Sequence, residues 1–556
     1  MSARAPLTDL GTHQVQNQVP PLEDYNLFDA DPALVEAVRR EGAGWAENEL
    51  RAFGALTGSE RVQRLGFEAN RFKPELRAFD RFGQRVDEVE YHPAYHELMR
   101  LAVEQGMPSL PWRDPQPGAH VAHSVMLYLL SQVEAGVCCP LTMTYAVVPA
   151  LRRQPEIAAE WEAKVTARSY DPRCIPVTEK SGATFGMAMT EKQGGSDVRT
   201  NTTTARAIGA GGPGGEYLLT GHKWFCSAPM SDGFLTLANT ASGLSCFLVP
   251  RWRPDGTRNR FFVQRLKDKL GNHSNASSEI EYQDTWARML GEDGRGVRTI
   301  LDMVHHTRND TVTAPASFMR QAVIQASHHV AYRSAFGKRL VEQPLMRNVL
   351  GDLVVEAEAA TVLAMRISRS FDDAATGAEE AQAFCRIATA VAKYWLNKRA
   401  PGHVVEALEC LGGAGYVEEN VFPRLYREAP LNGIWEGSGN VICLDVLRAM
   451  AREPGSVDAF LAELERARGG DRRLDAAIDG VRDALLDGTD LELRARRVTE
   501  QMALALQGAL LVRHAPSAVA DAFCVSRLGG DHGRVYGTLP VGLDLDALVR
   551  RGAAPV

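Results

Sequence analysis

The stretch LNGIWEGSGNVICLDVLRAM, Leu431 to Met450, sets one carboxylate, Glu436, between a tryptophan and a Gly-Ser-Gly turn, with an apolar run at helical spacing behind it. Packing gives no reason for a charge beside an indole on a flexible elbow, so the residue type points to proton transfer. Burial against Trp435 would raise the carboxyl pKa and make it a better base. Four other stretches carry chemistry. In MAMTEKQGGSDVRTNTT, Thr190 and Ser196 offer hydroxyls and Gly194-Gly195 offers backbone amides, which suits the rim of a flat heterocycle and a nearby phosphate, or simply a turn. In GHKWFCSAPMSD, Trp224 precedes Cys226 and Ser227 and suits either a ring face or ordinary sheet core. In YRSAFGKRL, Arg333 lies three residues before Phe336, and its planar fork can pair two pyrophosphate oxygens or face solvent. In ECLGGAGYVEE, Gly412, Gly413 and Gly415 break a helix, as a ligand turn or a C-cap does.

Positioning these residues takes several cores, because 556 residues exceed what one core supports. Hydrophobic content of 45 % with 24 % charged residues is ordinary for a globular protein, and a net charge of -7 gives no chain-wide pull on nucleic acid. The opening residues lack a signal-peptide core, and no apolar run is long enough to span a bilayer. Nine scattered cysteines without a C-x-x-C pair indicate neither a zinc site nor a disulfide framework, so a reducing cytoplasm and no metal are expected. Up to about Arg168 the chain reads as helical, with Asp31 capping DPALVEAVRREGAGW and a buried helix in VAHSVMLYLLSQVEAGVCC. Between Phe185 and Gln283, short runs rich in β-branched and aromatic residues alternate with turns, and GAGGPGGEY reads as a hairpin tip. Helices return at Gly296, and Pro454-Gly455 marks a break before a last helical segment.

Together these motifs resemble the acyl-CoA dehydrogenase flavoprotein family from about Met107 to Arg448. MTEKQGGSDV, GHKWF, KLGNHSNAS, IWEGSGN and the amino-terminal REGAGW look most like its AidB, or alkylation-response, branch. The resemblance implies a mainly α protein with a central β-barrel-like domain: an α domain at 1–184, a β domain at 185–288, a four-helix α domain at 289–453 and a helical extension at 454–556. It implies FAD held between domains and between subunits and, by the habit of the family, a homotetramer. Met187, Ala188, Met189, Thr190, Gly195 and Ser196 would line the flavin, with Trp224, Phe225, Cys226 and Ser227 beside the ring. Cys226 stands where many members have a threonine, and a thiol is a weaker hydrogen-bonding group that Ser227 or a backbone amide can replace. Arg333 and Phe336 match contacts to pyrophosphate and adenine across a subunit interface. Gly412, Gly413, Ile434, Trp435, Gly437, Ser438, Gly439, Asn440 and Leu444 would complete the cofactor site, although Glu409 replaces a common glutamine and another is shifted or lost at Gln343-Pro344. Glu436 matches the base that removes the α-proton of an acyl thioester. The position used for the base in other members is Thr307 here, followed by Arg308.

The AidB branch is associated with binding and protecting double-stranded DNA and with feeble acyl-CoA dehydrogenation. The resemblance therefore implies DNA contacts in the extension, with Arg448, Arg497, Arg513 and Arg527 as candidates for phosphate contact. The alternative expectation is a working dehydrogenase for short or branched acyl-CoA. A redox-silent protein that uses FAD only as a folding element is the third.

Overall fold

The computed structural model describes residues 6–453 and 455–554; Pro454, half of the expected break, lies outside the described residues. Asp31 caps the helix Pro32–Arg40 by accepting from the Leu34 N–H at 3.2 Å, and Pro32 occupies a first-turn position that needs no donor. The apolar run expected to be buried forms helix α2 (Ala119–Ser131), every residue of which is buried. It lies between α1 (Pro93–Glu104) and α3 (Cys138–Ala146) in chain order.

Two hairpins differ from the helical reading of this region, a short one pairing Asp9–Leu10 with His13–Gln14 and a longer one. Glu75–Phe79 pairs antiparallel with Arg85–Glu90. The hairpin buries Asp87 and Val89 on one face, and Asp87 accepts from the Val263 N–H at 3.0 Å. Its strands are mostly charged, and the backbone group that receives the buried Asp87 carboxylate lies 176 residues further along the chain, so local periodicity carries no sign of them.

Seven strands form the central sheet: β1 (Phe185–Ala188), β2 (Thr204–Ile208), β3 (Glu216–Ser227), β4 (Gly233–Thr240), β5 (Gly243–Pro250), β6 (Phe261–Leu266) and β7 (Ser277–Leu290). β5 pairs with both β4 and β7, β7 pairs with β3, β3 with β2, and β2 touches β4, so the path closes into a barrel-like ring. Aromatic and aliphatic side chains including Phe234, Phe247, Phe261 and Tyr282 fill its interior. GAGGPGGEY is the tip between β2 and β3.

The helices then return as α4 (Gly296–Tyr332), α5 (Pro344–Ala375), α6 (Glu379–Glu409) and the shorter α7 (Gly439–Arg452). They share one apolar core with the amino-terminal helices. Beyond them, Gly455–Glu465 and α8 (Leu491–His514) pack on this bundle, Arg472–Leu486 packs on α8, and a tail ending in the helix Leu545–Gly552 returns to α5.

Candidate functional site

Two buried cations shape the elbow before α7. Lys393 on α6 donates to the carbonyls of Asn432 and Gly437 at 3.1 and 2.8 Å, and Arg308 on α4 donates to the carbonyl of Glu436 at 3.1 Å. Arg308 is itself fixed by Asp445 at 2.7 Å, which also binds Arg386 at 2.8 Å. The Trp435 indole N–H donates to Asn432 Oδ1 at 2.6 Å. These contacts hold Glu436 at φ +57°, a left-handed conformation that costs a non-glycine residue free energy and that clusters at functional sites. Desolvation pushes the Glu436 carboxyl above its ordinary pKa, against the opposing pull of the Thr307 hydroxyl, Arg308 and Lys393. Burial, with help from Arg308, brings the Lys393 ammonium down to about 7.

A base must be ionised to accept a proton, so any rate that depends on Glu436 should rise with pH through a midpoint above the ordinary glutamate value. Lys393→Met removes a charge that lowers this carboxyl, so its acid limb should move to higher pH. A pH–rate profile of flavin bleaching on the two proteins checks both signs; an unmoved limb would mean that Lys393 does not act on Glu436 electrostatically.

On the barrel side, the segment Met187–Thr190 is anchored by a pair that was not foreseen. Lys223 on β3 and Glu191 are fully buried and 2.8 Å apart, with Lys223 also donating to the Leu237 carbonyl at 2.8 Å. Glu191 accepts from the N–H groups of Thr202 and Thr203 at 2.6 and 3.1 Å. Burial alone would raise the Glu191 carboxyl, but the Lys223 ammonium and these hydrogen bonds hold it well below the usual range. The loop carrying Gly195 and Ser196 is thus pinned at its root and exposed at its tip. At Gly195 a Cβ would come within 2.3 Å of Thr190 Oγ1, so only glycine allows this approach. The Thr190 carbonyl accepts from the Trp224 N–H at 2.8 Å. The Trp224 ring is half-buried, with Lys267 Nζ 3.5 Å from its centroid and 4.6 Å from that of Phe225.

Cys226 requires a correction. Between the pairs Lys223–Ile280 and Cys226–Ser278, β3 spends three residues where β7 spends two, a bulge that reverses the alternation. The Cys226 thiol, which should share a face with Trp224, turns into the barrel core, where burial pushes it up to about 12. Ala188 points into the same core. Ser227 keeps a half-buried hydroxyl, 3.3 Å from that of Ser277. Cys139 on α3 links the two halves of the site. Burial brings its thiol up to about 12, Ser227 and Asn275 pull it down, and the Glu436 charge adds to the rise. The KLGNHSNAS loop is tied down beside it: Asn272 N–H donates to Glu428 at 2.5 Å and the Ser274 hydroxyl to Glu134 at 2.6 Å. One turn beyond Thr307, Asp310 accepts from the Thr142 hydroxyl at 2.6 Å and lies 3.0 Å from His123 Nε2. Of these groups only the loop was visible as a motif; Cys139 and Asp310 carry no spacing that marks them.

Other expected residues stand apart. Arg333 donates to the Asn17 carbonyl of the amino-terminal arm, and Phe336, at φ +52° on a two-residue hairpin, is 99 % exposed. Gly412, at φ +60°, and Gly413 face open space. Asn440, Ile434 and Leu444 are exposed around the start of α7, whose first amides donate no hydrogen bond to the Ser438 side chain. Gly439 lies against Lys398, to whose Cε a Cβ would come within 3.0 Å.

Of the four arginines expected at DNA, two require correction. Arg527 is buried and paired with Asp352 and Glu356, and Arg513 is bound to Glu463 at 3.2 Å, a carboxylate it shares with Arg366 and Arg466. Arg448 is half-exposed and touches Asp445 at 3.1 Å, while Arg497 is exposed and makes no ion pair among the described residues. The buried pair costs more to break than a phosphate contact returns, so Arg527 is structural.

Comparison with known proteins agrees with this layout. Residues 17–172 match the adaptive response protein AidB N-terminal domain, residues 186–285 the acyl-CoA dehydrogenase middle domain and residues 294–451 the acyl-CoA dehydrogenase C-terminal domain. AidB of Escherichia coli strain K12, assigned by name to the acyl-CoA dehydrogenases, is 44 % identical over 515 residues, covering 92 % of this chain and 94 % of its own. Caenorhabditis elegans ACDH-11, solved in complex with C11-CoA, superposes with a TM-score of 0.84 at 28 % identity, over 95 % of this chain and 94 % of that one. Butyryl-CoA dehydrogenase of Megasphaera elsdenii shares the fold, with a TM-score of 0.58 at 19 % identity, over 77 % of this chain and all of its own.

Proposed function

We propose that this chain, which belongs to the acyl-CoA dehydrogenase family and to its AidB-like members, uses Glu436 as the base of a weak acyl-CoA dehydrogenation and binds double-stranded DNA in an alkylation response. The members of this family are FAD-binding flavoproteins, and the residues here fit that group. The α7 amides are uncapped by the Ser438 side chain, the Trp224 ring is half-exposed, and Gly195 lies in the exposed tip of its loop. When bound, the flavin supplies the hydride acceptor. The chain's own part is to take the proton. Lys393 and Arg308 fix the elbow, and the raised carboxyl of Glu436 accepts the α-proton of the thioester. That carboxylate, held on a strained elbow by two cations, is the observation that carries the reading. The C11-CoA bound to ACDH-11 supports an acyl-CoA as the ligand. Short or branched acyl-CoA is the alternative as principal substrate, and comparing chain lengths in a flavin-bleaching assay separates the two.

A second observation supports the DNA reading. Arg497 on α8 is exposed and makes no ion pair among the described residues, Arg448 on α7 is accessible although it touches Asp445 at 3.1 Å, and exposed Lys398 on α6 lies against Gly439, so α6, α7 and α8 each present a cation to solvent. Binding through them should be sequence-independent and collapse as salt rises from about 50 to about 200 mM. Reversing Arg448 and Arg497 to glutamate should weaken a fluorescent duplex about tenfold and lower the salt slope by about two, as measured by anisotropy. An unchanged affinity would remove these two residues from the interface.

The same reading includes a cytoplasmic homotetramer in which Phe336, exposed to nearly its full extent, packs against a neighbouring copy; solution mass of a Phe336→Ser variant tests it. No described helix is long and apolar enough to cross a membrane.

A further inference from the structure

Between the end of α4 at Tyr332 and the start of α5 at Pro344 the chain makes a very short hairpin, in which Ser334 pairs with Arg339 and Ala335 with Lys338. Phe336 and Gly337 turn it at φ +52° and +77°, the left-handed pair that a two-residue connection favours. A two-stranded ribbon is marginal in water even at ordinary length. This one nevertheless carries the exposed Phe336 ring and three cations, Arg333, Lys338 and Arg339, none of which makes an ion pair among the described residues.

The bracing comes from outside the ribbon. The amino-terminal arm is exposed at every described residue up to Gln18, and it fastens to the hairpin at Asn17. Asn17 Nδ2 donates to the Ser334 carbonyl and Asn17 Oδ1 accepts from the Ser334 N–H, both at 2.8 Å. One side chain thus pairs the open edge of the ribbon as a third strand would. The Asn17 carbonyl accepts from Arg333 Nη1, which leaves Nε and Nη2 of the guanidinium for another acceptor. All three bonds are made from φ +57°, a conformation that asparagine adopts more readily than most residues. Further along, the Pro20 carbonyl accepts from His328 Nε2 at 2.8 Å and keeps the arm against α4, while Gln343 Nε2 donates to the Ala335 carbonyl at 3.3 Å. A planar fork with two free nitrogens, beside an exposed ring, suits the pyrophosphate and the base of a dinucleotide.

We propose that Asn17 is a positioning residue for the cofactor: by pairing Ser334 and holding Arg333, it sets the Arg333 guanidinium toward the pyrophosphate of the FAD of a neighbouring copy. This rests on the FAD-bound homotetramer proposed above, and four holoproteins test the two separately: the parent, Asn17→Gly, Arg333→Met and the double variant. Glycine keeps the left-handed backbone and the carbonyl that Arg333 uses, and removes only the two bonds to Ser334. Release of FAD on dilution, followed by the fluorescence of free flavin, gives each dissociation constant. Arg333→Met should raise it about tenfold or more, and Asn17→Gly about fivefold. In the Arg333→Met background Asn17→Gly should add less than about twofold, because a residue that acts by placing Arg333 then has nothing to place. The solution mass of Asn17→Gly should equal that of the parent. If Arg333→Met leaves FAD binding unchanged, the reading of the hairpin fails and the inference with it. If Arg333→Met weakens FAD while Asn17→Gly does not, or if Asn17→Gly costs the same factor in both backgrounds, the inference alone is overturned. A lower solution mass for Asn17→Gly also overturns it, by making assembly the cause of the loss.

Discussion

Glu436→Gln should retain FAD and lose acyl-CoA-dependent bleaching of the flavin by about a thousandfold, within the range a positioned general base contributes. Glutamine has the same shape, and the groups that build the elbow touch backbone: Lys393 reaches the carbonyls of Asn432 and Gly437, and Arg308 that of Glu436 itself. The substitution therefore leaves the elbow in place and removes only the proton acceptor. Thr307, at the other family position for the base, cannot take over, because its buried hydroxyl donates to the Val304 carbonyl at 2.9 Å and has no basicity near neutrality. Anaerobic mixing with an acyl-CoA, followed in the flavin absorption band, measures the loss. A variant that still bleaches at a tenth of the parent rate or faster would move the base elsewhere, and a variant that loses FAD would show the carboxylate to be structural.

The parts of the site legible in the sequence were those with a local signature. A carboxylate between Trp435 and Gly437, a Gly-Gly turn after Thr190 and an arginine before Phe336 each occupy a few consecutive residues, and their order along the chain identified the family. Facts of pairing were not legible. Trp224 and Cys226 are two residues apart and should share a face, but the bulge against β7 turns the thiol inward, and a bulge is set by register with a strand fifty residues away. Lys223 looked like one more residue of a strand, whereas it is buried on Glu191 and anchors the segment Met187–Thr190. The amino-terminal hairpin was hidden for a related reason: Asp87 is buried because Arg85 and the Val263 N–H receive it. In each case the deciding partner is remote, and single-chain periodicity does not see it.

The arginines of the extension carry the same lesson into the second large effect. Arg527→Met should destabilise the protein by about 3–5 kcal/mol, the cost of leaving buried charge without its partner. Asp352 and Glu356 lie on one face of α5 with almost no exposure, and Arg527 reaches both. Arg399 supports Glu356 at 2.9 Å, and His532 supports Asp352 at 3.2 Å. Further along, Arg551 spans Glu36 at 2.6 Å and Glu358 at 2.8 Å, so the tail fastens the first helix to the bundle. Deleting residues 454–556 would strand these carboxylates together and expose the apolar faces of α5 and α6, and such a truncation should be insoluble rather than merely unable to bind DNA. Guanidinium denaturation of Arg527→Met, beside Arg497→Glu as a surface control expected to stay within about 0.5 kcal/mol of the parent, measures the difference. Equal midpoints for the two variants would return Arg527 to the list of residues free to meet a phosphate. A large gap assigns the extension two separate duties, with its inner arginines closing the fold and only its outer ones available to a partner.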